Sequence, residues 1–133
     1  MNAQTRNKLK AGSNNSLNNN QNICTQAVCR WAGVDHLVRY LHTRNDVKRA
    51  LRKKYSVRSV KSALGKAKTV GAARKEIAKA FANRRDLVAI YISVPGHAML
   101  VDRNGQTIVD TDPRTRDRRR VLAAHGLYKP RGC

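Results

Sequence analysis

Acidic residues are scarce in this chain. Its 133 residues include eight Asp and Glu, and Glu76 is the only glutamate. Glycoside hydrolysis by paired carboxylates and most acid-metal nuclease chemistry need clustered acids, so the sequence argues against both. Cysteine is sparse as well, with Cys24, Cys29 and Cys133. Three is an odd number, and a chain of this length buries roughly two-thirds of its unfolded surface without staples, so no disulfide framework is expected. At least one thiol is then free or pairs between chains, which favours reducing surroundings, a cytoplasm or the inside of a viral particle. No apolar run approaches a membrane span, and the first residues lack the apolar segment of a standard secretion signal. There is no glycine-rich phosphate loop and no internal repeat, and one domain is expected.

What the chain has in excess is positive charge. Twenty-eight Lys and Arg give a formal net charge of +20. Self-repulsion of that size works against a compact state unless an anionic partner neutralises it. Solubility alone does not call for so large an excess. Nucleic acid is the first partner to expect, and another polyanion or an anionic surface the second.

Three segments can be distinguished. Residues 1–21 are Asn-rich, basic and without apolar period, and read as a flexible arm. Residues 22–113 read as one α+β domain, a helical first half packed on a small antiparallel sheet. Residues 114–133 read as a basic tail with at most a short helix. Within the domain, Cys24, Ala27, Val28 and Trp31 fall on one helical face, with Asn20 or Asn22 as cap and Gly33 as stop, while Cys29 points elsewhere. Asp35 can cap a short helix carrying Leu37, Val38 and Leu41. Asn45 to Asn83 reads as helical, with stripes at Val47, Ala50, Leu51 and Tyr55, at Val60, Leu64 and Ala67, and at Ala73, Ile77, Ala80 and Phe81 after a Thr69 cap. Its exposed cations, among them Lys48, Arg49, Arg52, Lys53, Lys54, Arg58 and Lys61, have almost no acidic neighbours to pair with. With Arg118, Arg119 and Arg120 of the tail they make a candidate phosphate-binding surface.

From Leu87 the period becomes that of a strand. Leu87–Ile92 is apolar and β-branched, as expected of a central strand covered on both faces. Pro95-Gly96 then turns the chain, and Asn104-Gly105 marks a second hairpin between His97–Val101 and Thr107–Asp110. A two-residue turn at Asn104-Gly105 would set His97 opposite Asp112 and put His97, Asp110 and Asp112 on one face. A bulge at Gly105 would break that parity.

These residues suggest thiol chemistry. The first turn of a helix lowers a thiol pKa through its dipole and unpaired N–H groups, and Cys24 is expected there. A histidine takes the thiol proton, and a carboxylate fixes its tautomer. A zinc cluster of Cys24, Cys29, His36 and His42 matches no common spacing, so neither metal nor cofactor is expected.

The order of Cys at a helix start, then Gly96-His97-Ala98-Met99-Leu100-Val101, a turn, and Thr107-Ile108-Val109-Asp110 resembles the papain-like cysteine peptidase superfamily. It is most similar to the transglutaminase-like and papain-fold toxin branch. The resemblance implies a papain-like core with Cys24 as nucleophile, His97 as base and Asp110 as orienter. Asp112, before Pro113, is the rival orienter, and Gln21, Asn20 or Asn22 could donate to an oxyanion. It further implies a peptidase, amidase or acyltransferase working through a thioester on a protein or peptidoglycan amide. The Cys-Gly-x-Cys-Trp signature of papain itself is absent. The alternative is a non-enzymatic nucleic-acid-binding protein, packaged in a virion, on a degenerate scaffold of this kind.

Overall fold

A computed structural model describes residues 16–34, 44–112 and 117–130. Residues 1–15 of the arm, the Asp35-capped helix, His36, His42 and Cys133 lie outside these. The described elements are α1 (Ser16–Ala32), α2 (Arg44–Leu51), β1 (Ser56–Ser59), a 3₁₀ turn (Lys61–Leu64), α3 (Val70–Phe81), β2 (Leu87–Val94), β3 (His97–Val101), β4 (Thr107–Val109) and β5 (Ala123–Tyr128). The strands form one antiparallel sheet in the order β1-β5-β2-β3-β4. The α+β class expected from the sequence is thus observed.

The sheet separates two apolar layers. On one side Cys24, Val28 and Ala32 of α1 and Val47 and Leu51 of α2 cover Ala89, Tyr91, Ala98, Leu100 and Leu127. On the other, Ala73, Ile77 and Phe81 of α3 cover Ile90, Ile92, Val94, Met99, Val101 and Ala124. β2 lies third of five in the sheet and is buried along both faces, which is why it reads as a continuous apolar run. Thr69 caps α3, its hydroxyl accepting from the Ala72 N–H at 3.2 Å.

Three expectations need correction. The stretch from Asn45 to Asn83 is not helical throughout: β1 and the 3₁₀ turn interrupt it. Ser56-Val57-Arg58-Ser59 has one apolar residue and lies at a sheet edge, so it carries no alternation to recognise. The presumed tail supplies β5, which sits between β1 and β2 in the interior of the sheet. Its glycine and histidine mask a strand whose partners are all distant in sequence. Cys29 does not point away from the core. It is as buried as Cys24, because α1 packs on both the sheet and α2 and buries a wide face.

Candidate active site

The hairpin between β3 and β4 is built differently from the expected turn, yet its far end has the expected register. Asp102 and Gln106 close a three-residue loop, with Asp102 N–H donating to the Gln106 carbonyl at 2.8 Å. The Asp102 carboxylate also accepts from the N–H groups of Asn104 (2.8 Å) and Gln106 (2.9 Å). Gly105 takes the left-handed position, with φ 81°. That loop shifts the register by one residue, pairing Val101 with Thr107. A second irregularity beyond it pairs Leu100 with Val109. The two offsets cancel, and the pairing that leads toward His97 is the one a two-residue turn would have given.

His97 and Asp110 therefore meet. Nε2 of His97 lies 2.6 Å from Oδ1 of Asp110, with the two side chains 10% and 19% exposed. The same Oδ1 accepts from the Asp112 N–H at 2.9 Å, which holds the carboxylate in place. With Nε2 engaged, Nδ1 is the ring nitrogen left to exchange a proton. Asp112, the rival orienter, is committed elsewhere: its carboxylate accepts from the Arg119 guanidinium.

Cys24 is placed differently. α1 begins at Ser16, so Cys24 lies in the helix interior and not in its first turn. In a helix the N–H at that depth bonds to the carbonyl four residues back, which removes both the end-of-helix electrostatics and a ready oxyanion donor. The thiol is 1% exposed. Burial pushes its pKa above the ordinary thiol value, and the Asp110 charge adds to this. Backbone hydrogen bonds from Ala98, Thr25 and Cys24 itself act in the opposite sense. The Ala98 contact brings the sulfur to the residue next to His97. Strand alternation assigns His97 and Ala98 to opposite faces of β3. His97 pairs with Val94, which packs in the α3-side layer, whereas Ala98 and Cys24 belong to the α1-side layer. His97 and Asp110 are thus bonded to each other, and the thiol approaches β3 at the neighbouring residue, Ala98. Gln21, Asn20 and Asn22 lie on α1, but their side chains are outside the described set.

One polar group here has no counterpart in the sequence reading. Ser93 faces the α1-side layer opposite Ala98, and its buried hydroxyl has no partner among the described residues. An isolated serine inside an apolar strand gives no signal in sequence. No group of three or more His, Cys, Asp or Glu among the described residues could hold a metal ion. No helix among them is long and apolar enough to cross a membrane.

The cationic side chains do not act alike. Arg49 pairs with Asp46 at 3.5 Å, and Lys48 Nζ lies 3.4 Å from His125 Nε2. Lys54 donates to the Ala32 carbonyl at 2.9 Å, closing the end of α1. Arg119 is half-buried against Asp112, so it is a structural cation, while Lys61, Arg118 and Arg120 are exposed. Arg52, Lys53, Lys54 and Arg58 line a concavity of about 680 Å³, together with Arg84 and Lys129. Those last two were not singled out in sequence. They join because Leu87 pairs with Tyr128, bringing the start of β2 beside the end of β5.

Comparisons with family models, curated proteins and solved structures return no match.

Proposed function

We propose that this protein binds polyanions, nucleic acid foremost, on an α+β scaffold. The observation that carries this reading is the one-sided charge gathered into shape: among the described residues six cations and a single carboxylate surround one concavity, on a chain of net charge +20. Such a surface gains by releasing condensed counterions from phosphates. A ligand that binds only the folded state raises the melting temperature by mass action. A mixed-sequence oligonucleotide should therefore raise it in proportion to the logarithm of concentration. An unchanged melting temperature at saturating oligonucleotide would remove the proposal.

A second reading is favoured by the 2.6 Å bond between His97 and Asp110. In it the chain is a papain-like peptidase, amidase or acyltransferase. His97 takes the Cys24 proton, the thiolate attacks an amide to form a thioester, and water or an amine releases the acyl group. This requires the imidazole to come within hydrogen-bond reach of the sulfur, and the buried thiol to be uncovered. Iodoacetamide labelling checks it. Cys24 should react faster than Cys29 at neutral pH and slow on His97→Ala; equal rates in both proteins exclude it.

A further inference from the structure

We infer that the concavity beside β1 is a single-strand site, taking the phosphate backbone of unpaired nucleic acid in preference to duplex. This inference rests on the polyanion-binding reading and specifies where and in what form the ligand sits. The walls come from four separate stretches: the residues after α2, edge strand β1, the turn before β2 and the end of β5. Two of the arginines are held against an aromatic ring. The Arg58 guanidinium lies 3.9 Å from the centroid of the Tyr128 ring, and Arg84 approaches the same ring at 5.2 Å. Stacking on an aromatic face orients a guanidinium and leaves its N–H edge for a phosphate oxygen. Arg84 is further fixed by two hydrogen bonds to Asp86, at 3.0 and 3.1 Å. That pairing engages the one carboxylate among the described residues of the wall, which six cations share, so the wall keeps a net positive charge.

Size and aromatic content decide between ligand forms. A concavity of about 680 Å³ suits one or two nucleotide units. A duplex presents its phosphates as two separated ridges and could touch only the rim. Tyr55 contributes an aromatic wall and is stacked against Trp31, with centroids 6.3 Å apart. A basic groove with an aromatic wall is the arrangement that holds single strands with little sequence preference.

Trp31 is the only tryptophan, so its emission reports on this wall. The test uses the full chain and a fluorescein-labelled strand of about 20 nucleotides, alone or annealed to its complement. The single strand should bind at least tenfold more tightly and should change Trp31 emission. Arg58→Glu should weaken single-strand binding about tenfold or more. Lys75→Glu, an exposed site on α3 with the same change in net charge, should weaken it less than about threefold. Equal losses from the two variants, or a duplex bound as tightly as the single strand, would overturn the single-strand site while leaving polyanion binding intact. Failure of the wild-type chain to bind either probe at low salt would overturn both. If Arg58→Glu does not fold, Arg58→Gln removes one charge without reversing it, and a loss of about fivefold is expected from it, against less than about twofold for Lys75→Gln.

Discussion

Cys24 and His97 show how little the identity of a residue says about its chemistry until its surroundings are known. The thiol pKa is raised by burial. The folded chain thus holds the Cys24 proton more tightly than the unfolded chain does. Stability is accordingly unaffected at neutral pH, and it declines as pH rises past the ordinary thiol range and through the folded-state value. Labelling follows the same sign. Iodoacetamide should modify Cys24 in the folded protein more slowly than in guanidinium at pH 7, with the gap narrowing at alkaline pH. Rapid labelling of the folded thiol at pH 7 would show a populated thiolate and favour the thioester chemistry. His97 and Asp110 are a structural pair in their own right. Asp110→Ala leaves the imidazole and the Asp112 N–H without their shared acceptor, and should cost about 1–3 kcal/mol in chemical denaturation.

At the scale of elements, the strongest dependence is on α3 and on the loop before β4. Ile77 is fully buried in the layer between α3 and the sheet, so Ile77→Ala should cost about 2–5 kcal/mol. Gly105 cannot be replaced cheaply. A Cβ there would lie 2.5 Å from the Arg74 carbonyl oxygen, at a φ that side chains avoid. The Arg74 guanidinium also donates to the Gly105 carbonyl at 2.8 Å. Gly105→Ala should therefore lower the denaturation midpoint by the equivalent of about 1–3 kcal/mol and loosen the hairpin that brings Asp110 to His97. This hairpin was legible in sequence, since Asn104-Gly105 between apolar runs identifies it and the alternation gives its faces. Helix α3 was legible from Thr69 and the spacing of Ala73, Ile77 and Phe81. β1 and β5 were not. One is short, exposed and basic, and the other is an Ala-His-Gly stretch whose strand character comes from pairing with β2, some thirty residues earlier. The face on which Cys24 meets β3 was not legible either. It depends on which side of the sheet α1 packs, and no local pattern in α1 encodes that.

The whole molecule is dominated by charge. Two apolar layers around a five-stranded sheet supply the folding energy. Against them works the mutual repulsion of a +20 chain. Sulfate or phosphate, which screens and binds cations, should raise the melting temperature more than chloride at equal ionic strength. The cations are not equivalent in this balance. Arg119 is tied into the fold by Asp112, whereas Arg52, Lys53, Lys54, Arg58 and Lys129 are exposed, Lys54 donating also to the Ala32 carbonyl. Salt dependence is the plainest measure of whether the proposed polyanion binding uses these exposed charges. Affinity of the full chain for a labelled single strand should be measured between 50 and 200 mM salt, where about two phosphates held in the concavity predict a loss of about sevenfold, and about six, once other exposed cations engage the strand, a loss of roughly 300-fold. An affinity that changes less than about threefold over that range would rule out polyanion binding through these charges.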